Sequence, residues 1–367
     1  MLTPSRLVVA RRRRRMTLAN LAAVSGVSAR SITAFENGHK QPSPDTLGSL
    51  SEALDFPVDF FSQPAIDEIP LPAVSFRALS KMTALDRDAA LAAGQISMII
   101  NAWIEANFRL PEMRVPSLAG VDPEHAANRV RGLWGLGEQP IANMVHLLEA
   151  NGVRVFSLAS DCISVDAFSL FCRGTPFVFL NTTKSGERGR FDAAHELGHL
   201  LLHGGDRIAY GPDAEDEANR FASALLMPRS SILSQLPLGA TPDQILVAKR
   251  RWRVSAFALA YRLHELGLLS DWKYKVAAQR LSQLGYRKNE TGGISRETSQ
   301  LLAKVFAALR QENLQNNKGR VSLADEVYLH TTELNRHVFG LVPIALEGGG
   351  QATPARPVLQ LVGGRRR

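Results

Sequence analysis

RFDAAHELGHLLLH, Arg190 to His203, sets two histidines four positions apart around a glutamate, in a stretch otherwise rich in alanine and leucine. On an α-helix, residues four apart lie nearly above one another, so His195 and His199 project from one face, one turn apart. Two imidazoles so placed can close on a single tetrahedral divalent ion. Glu196 is rotated by about 100° from His195, which brings its carboxylate alongside the ion without making it a ligand. A carboxylate there can take the proton of a water attacking a carbonyl. The plainer alternative is a pair of surface histidines on a solvated helix. Ala194, Leu197, Leu200 and Leu201 argue against it, because they make the helix apolar enough to be buried, and buried histidines need partners.

A hydrolytic site of this kind needs a third protein ligand and one open position. The next helical pattern, EDEANRFASALLMP from Glu215, offers two acids. Glu215 and Asn219 are one turn apart, so Asn219 can orient a ligating histidine while Glu215 binds the ion. Glu217 is rotated by about 200° from Glu215 and points away when Glu215 points in. Glu215 is therefore preferred, with Glu217 as the alternative. His203 shares the histidine face but sits at the helix end beside Gly204, which suits a terminal or packing role.

Around this centre the chain has 367 residues, room for two or three domains with separate cores. Its 45% hydrophobic and 21% charged content is that of an ordinary globular protein. The net charge of +8 is uneven, with Arg11 to Arg15 in one run and Arg365 to Arg367 in another. Clustered positive charge suits a polyanion partner, although such runs are commonly solvated faces. Two cysteines, Cys162 and Cys172, exclude a disulfide framework or a cysteine-rich zinc knuckle. No secretory pattern precedes residue 30, and no uninterrupted apolar run approaches about 18 residues, so a cytoplasmic location with no membrane partner is expected.

The first 65 residues read as an all-helical unit. LVVARRRRR is one helix; Thr17 caps LANLAAV, which ends at Gly26; Ser28 caps ARSITAFEN, which ends at Asn37-Gly38. A further helix carries Leu47, Leu50 and Leu54, and prolines at 57, 64, 70 and 72 mark a linker. Residues 84–109 form one long helix. VRVFSL and DAFSLFCRGTPFVFLN give three strands, the last two joined at Arg173 to Pro176. After the metal helices, TPDQILVAKRRWRVSAFALAYRLHELGLL is a helix pair broken at Val254-Ser255. Its dense apolar positions suit a structural cap better than a second DNA reader. SRETSQLLAKVFAALRQ and SLADEVYLHTTELNRHVF are two more helical patterns, and the tail from Glu347 is expected to be disordered. The expected class is α+β, mostly α. Its parts are an N-terminal helix-turn-helix bundle (1–65), a linker and long connecting helix (66–118), a zincin-like domain with a small sheet (119–270), a C-terminal helical domain (271–346) and a basic tail (347–367).

Two resemblances follow from these motifs. FVFLN, then RF-x-x-AHELGHLLLH, then E-x-E-A-N-x-F-A-x-x-LLMP resembles the ImmA/IrrE family of zinc-dependent metallo-endopeptidases over roughly residues 120–270. The resemblance implies His195, His199 and Glu215 as zinc ligands and Glu196 as catalytic base, with Mn2+ conceivable in the same ligands. It also implies a strand ending at Asn181 beside the active cleft, where an extended substrate can add to a sheet edge. TLANLAAVSGVSARSITAFENGHKQPSPDTLGSLSEALDF resembles the lambda-repressor-like (XRE) helix-turn-helix modules. Ile32 and Phe35 then face the core, Ala29, Arg30 and Thr33 face bases in the major groove, and Lys40 reaches phosphate. A small helical bundle used for protein contacts is the alternative.

Together they imply a cytoplasmic, DNA-binding regulator with a zinc-dependent endopeptidase domain. Its expected partners are a double-stranded operator, a repressor-type protein or the chain itself as substrate, and a second copy in a homodimer. Two competing readings are a transcription factor whose peptidase-like domain only senses metal or ligand, and the regulatory component of a toxin–antitoxin or phage-immunity pair.

Overall fold

Helices open the chain because each has a usable start. The computed structural model describes residues 1–70, 74–76, 82–158, 162, 165–204, 211–287, 289–315 and 322–342. Helix α1 (Pro4–Arg13) begins with proline, whose missing N–H is no loss in a first turn. In α2 (Leu18–Ser25) the Thr17 hydroxyl accepts from Asn20 N at 3.1 Å, and Gly26, with φ 70°, ends the helix. Ser28 and Ser43 cap α3 (Ala29–Glu36) and α4 (Pro44–Leu54) in the same way. Leu21, Ile32, Phe35, Leu50 and Leu54 meet Phe60 and Phe61 in the core of this head.

The arginine run is structural. Arg11 donates to both carboxylate oxygens of Glu36, at 2.7 and 2.8 Å. Arg13 and Arg14 both reach Glu333, each at 2.6 Å. Arg14 also lies over the Phe56 ring, and Arg15 pairs with Asp86. Arg12 alone has a long, exposed contact, 3.8 Å to Glu68. The expectation of a polyanion partner or a solvated face therefore does not hold for most of the run, because four of its five guanidiniums face acids supplied by three other parts of the chain, Glu36, Asp86 and Glu333.

Strand β1 (Ser75–Phe76) leads into α5 (Ala84–Asn107), then α6 (Pro123–Leu133) and α7 (Met144–Ala150). By length and composition α5 matches a membrane span, but 67% of its most apolar window is buried inside the protein, as in a core helix. Strands β2 (Arg154–Leu158), β3 (Ala167–Cys172) and β4 (Thr175–Asn181) complete a sheet of order β1-β3-β4-β2. The hairpin β3–β4 turns on Arg173 and Gly174, with φ 49° and 81°, the two left-handed residues of a tight hairpin turn. β4 pairs antiparallel with β3 and parallel with β2, so both of its edges are used. The strand ending at Asn181 is thus interior and cannot accept an added strand; the free edges lie at β1 and β2.

Alternation divides the sheet between two cores. Phe156, Phe168, Phe177 and Phe179 stack on the face toward α5 and the head. Val155, Ala167, Val178 and Leu180 face the other way, onto α8 (Gly186–Leu202). That second core continues through α9 (Pro212–Leu226), α10 (Arg229–Gln235), α11 (Pro242–Trp252), α12 (Ala256–Glu265) and α13 (Asp271–Gln283). Helix α13 has no counterpart among the sequence expectations. Its pattern is mostly exposed, with Ala277 and Leu281 buried, so no apolar stripe announces it.

The remaining helices, α14 (Gln300–Gln315), α15 (Leu323–Glu326) and α16 (Thr331–His337), join the first core through Leu302, Val305, Phe306 and Leu334. The residues after 270 therefore contribute to both cores. Helix α14 starts five residues later than its pattern suggests, because Glu149 accepts from the Gln300 and Leu301 N–H groups, each at 3.0 Å, and fixes the first turn there. SLADEVYLHTTELNRHVF forms two short helices parted at Tyr328, whose φ is 57°. The tail at 347–367 lies outside the described residues. The architecture is α+β and mostly α, as the sequence implies.

Candidate metal centre

Helix α8 carries His195, Glu196 and His199 at its buried centre, all 0–4% exposed. It crosses α9 closely at Gly198. A Cβ there would meet the Phe221 ring at 3.0 Å and the Ala218 backbone at 3.2 Å. The glycine in HELGH and the alanine in EDEAN thus let two backbones approach until the first turn of α9 reaches the histidines.

His195 Nε2 and His199 Nε2 are 3.0 Å apart, and the Glu215 carboxylate lies 3.4 Å from the first and 3.3 Å from the second. The three donor atoms fall within 4.8 Å of one another. Ligands at about 2.0–2.1 Å from a tetrahedral ion stand roughly 3.3 Å apart; the separations here are close to that, with Glu215 Oε2 nearest His195 and Oε1 nearest His199. Burial alone would raise the Glu215 carboxyl, but when the imidazoles carry protons on Nε2 their hydrogen bonds and charge hold it well below the usual carboxylate range, the place an ion takes once Nε2 is deprotonated. Two nitrogens and one carboxylate oxygen form the donor set of a catalytic zinc site.

The far side of each imidazole is also engaged. His195 Nδ1 is 3.1 Å from Asn219 Oδ1, an acceptor, so the proton sits on Nδ1 and the Nε2 lone pair faces the ion position. His199 Nδ1 is 3.1 Å from His203 Nδ1, and His203 Nε2 is 2.8 Å from Glu217 Oε2. Because Glu217 accepts, His203 carries its proton on Nε2 and offers Nδ1 as acceptor. That assignment puts the His199 proton on Nδ1 and frees Nε2 for the metal. Glu217 and His203 therefore lie behind His199, outside the cluster of His195, His199 and Glu215. The i, i+8 recurrence of histidine from His195 to His203 was the signal for this relay, and its acid partner lies on another helix.

Glu196 is held by a residue that the sequence reading did not single out. Ser169 of β3 donates to Glu196 Oε2 at 2.6 Å. A serine among the apolar residues AFSLFC was the available signal, since a buried hydroxyl needs a partner.

In the head, Ala29, Arg30, Thr33 and Lys40 are all exposed, while Ile32 and Phe35 of the same segment are buried. Thr33 Oγ1 donates to Ala29 O at 2.9 Å. The exposed face of α3 and the loop after it are thus available to a partner.

Comparison with known families agrees with both regions. Residues 148–264 match the family described as IrrE N-terminal-like domain, peptidase M78, and residues 9–61 match the helix-turn-helix family. No curated protein matches the chain. The first match spans both metal helices and supports a metallopeptidase-like domain, and the second supports DNA binding. The chain thus joins an XRE-type helix-turn-helix region, residues 9–61, to an IrrE/ImmA-like, metallopeptidase-like region, residues 148–264.

Proposed function

We propose that this chain is a cytoplasmic transcription regulator that binds a double-stranded operator and carries a zinc-dependent endopeptidase. The observation that carries the enzymatic reading is the His195, His199 and Glu215 cluster, whose donor atoms lie within 4.8 Å of one another, with the two Nε2 atoms 3.0 Å apart and each within 3.4 Å of one of the two carboxylate oxygens, close enough to share one tetrahedral ion. Zn2+ held there supplies Lewis-acid catalysis of peptide hydrolysis, and Mn2+ suits the same donors. Asn219, and His203 with Glu217, fix the imidazole tautomers. Glu196, oriented by Ser169, takes a proton from the attacking water and passes it to the departing amine nitrogen. Arg30 reads base edges and Lys40 holds phosphate, with Ala29 and Thr33 against the groove. A homodimer suits the symmetric sites that such heads read.

The substrate is a repressor-type protein or the chain's own linker. One contact favours the linker. Ser75 and Phe76 pair antiparallel with β3, Ser75 opposite Ser169, the residue that orients Glu196. Extended backbone added to a sheet edge is a common mode of peptide recognition, and here the linker occupies that edge beside the proposed base.

Metal-loaded full-length protein, incubated alone and with repressor-type proteins, should yield discrete fragments by mass spectrometry, including a cut within residues 66–118. The Glu196→Gln protein should yield none while keeping its metal. Fragments of equal yield from both proteins would show the assigned base to be wrong. Their complete absence would leave the competing reading, a regulator whose peptidase-like domain senses metal or ligand.

A further inference from the structure

Solvent does not reach the proposed base. Glu196 is 0% exposed and Ser169, which orients it, is 3% exposed, whereas the Glu215 side chain is 30% exposed. A hydrolytic base must meet both a water and the peptide, so this is a closed arrangement of the site. Ser169 lies on β3, and the edge of β3 away from β4 is taken by linker backbone. Ser75 pairs antiparallel with Ser169, and Phe76 with Phe168. The segment leading to that strand is fixed at several points. Ile69 and Val74 are buried in the first core. Gln95 of α5 donates to Asp67 O at 2.7 Å, Ser5 Oγ accepts from Ile66 N at 3.0 Å, and Arg6 donates to Pro64 O at 2.9 Å. Ser5 and Arg6 belong to α1, the first helix of the head.

We propose that linker residues 74–76 form an autoinhibitory strand, which fills the β3 edge that an extended peptide must join to reach Glu196. The proposal rests on the endopeptidase reading above and adds the regulation of its site. A sheet edge offers one row of backbone N–H and C=O groups, so two extended segments cannot pair with it at once. Another protein is therefore cut only after the linker leaves the edge or is itself cut. The anchors at Pro64, Ile66 and Asp67 make α1 and α5 the holders of the strand. The head thus governs access to the base, which gives the two regions a reason to share one chain.

The zinc-loaded full-length chain is compared with two variants. Ser75→Pro/Phe76→Pro removes both linker N–H donors from the ladder. Ser5→Ala/Gln95→Ala leaves the strand intact and removes two of its anchors. The probes are acetohydroxamate, which needs only the ion, and an alanine tripeptide hydroxamate, which also needs the strand edge. Calorimetry measures their affinities, hydrogen exchange follows the β3 amides, and thermal midpoints confirm folding. The tripeptide probe should bind the proline variant about tenfold more tightly or better, because the native site is competent only in molecules whose linker has left. Acetohydroxamate should bind all three proteins alike. The anchor variant should show a smaller gain for the tripeptide, and β3 amides should exchange faster in both variants. Equal tripeptide affinity in all three proteins, or β3 exchange unchanged in both variants, would overturn the autoinhibitory strand and leave the endopeptidase reading standing. A gain in the proline variant alone would keep the strand and overturn its control by the head. Failure of acetohydroxamate to bind the zinc-loaded chain would remove the endopeptidase reading, and the strand's role with it.

Discussion

Arg13 Nε lies 2.6 Å from Glu333 Oε1 across 320 positions of sequence, and both side chains are essentially shut off from solvent. Arg14 Nη1 donates to the second oxygen of Glu333 at 2.6 Å, Arg336 Nη1 donates to the same oxygen at 2.8 Å, and His337 Nε2 is 3.1 Å from the first. Ser97 of α5 meets His337 Nδ1 at 3.1 Å. Helix α16 also reaches the sheet, where Ser157 donates to Arg336 O at 2.9 Å and accepts from Phe339 N at 2.8 Å. One short helix therefore ties the DNA-binding head, the connecting helix and the metallopeptidase-like region together.

Removing one partner of a buried ion pair leaves the other charge uncompensated, at a cost of about 3–5 kcal/mol. Glu333→Gln should lower the stability of the full-length protein by that order. It leaves three guanidiniums, of Arg13, Arg14 and Arg336, facing a neutral amide. Denaturant unfolding followed by far-UV circular dichroism measures the change. A shift below about 1 kcal/mol, the level of exposed pairs, would mean that the cluster adds nothing to the junction.

The same carboxylate should make stability fall in acid. Burial opposes its ionisation, but the His337 hydrogen bond and the charges of Arg13, His337 and Arg14 outweigh burial and hold its pKa well below the usual glutamate range. A depressed folded-state pKa adds stability above the unfolded-state value and loses it as pH falls toward the folded-state value. The native melting midpoint should therefore drop more steeply below about pH 4.5 than that of Glu333→Gln, with the two curves converging. Calorimetric scans from pH 7 to pH 3 measure this, and parallel curves would assign the acid sensitivity elsewhere.

Metal affinity should depend on Glu217 although two hydrogen bonds, through His203, separate it from the proposed ligand His199. Without its carboxylate, His203 loses the acceptor at 2.8 Å that fixes its tautomer, and His199 loses the acceptor for its Nδ1 proton. Partners behind metal ligands are worth about 10- to 100-fold in affinity. Glu217→Ala should weaken zinc binding by that factor in a chelator competition, whereas Glu215→Ala should abolish high-affinity binding. Equal losses in the two variants would mean that both acids share the ion.

Local periodicity made the metal helices legible. A spacing of four puts His195 and His199 on one face, and a rotation of about 200° separates Glu217 from Glu215. Caps at Thr17, Ser28 and Gly26 likewise define the head within a few residues. Long-range pairing was not legible. Nothing near Asn181 tells whether β4 is an edge or an interior strand, because its neighbours are β2, 23 residues earlier by register, and the hairpin partner β3. The arginine run read as free charge because its main acceptor, Glu333, comes from the other end of the chain. Ser169 signals by its place in an apolar strand that it needs a partner, but not which one, since Glu196 is 27 positions away.

That distribution of arginines fixes what DNA binding should look like. Arg11, Arg13, Arg14 and Arg15 are committed to acids, so they are poor sources of phosphate contacts. The exposed cations beside α3 are Arg30 and Lys40. Lys40→Ala should weaken binding to all sequences alike and reduce the slope of log affinity against log salt by about one. Arg30→Ala should cost about 1–3 kcal/mol on the preferred operator and relax the base preference at one position. Both are measured by fluorescence anisotropy with operator and scrambled duplexes over a salt series. If Arg30→Ala instead lowered affinity equally for both duplexes, Arg30 would be a phosphate contact, and base reading would have to come from other exposed residues of α3.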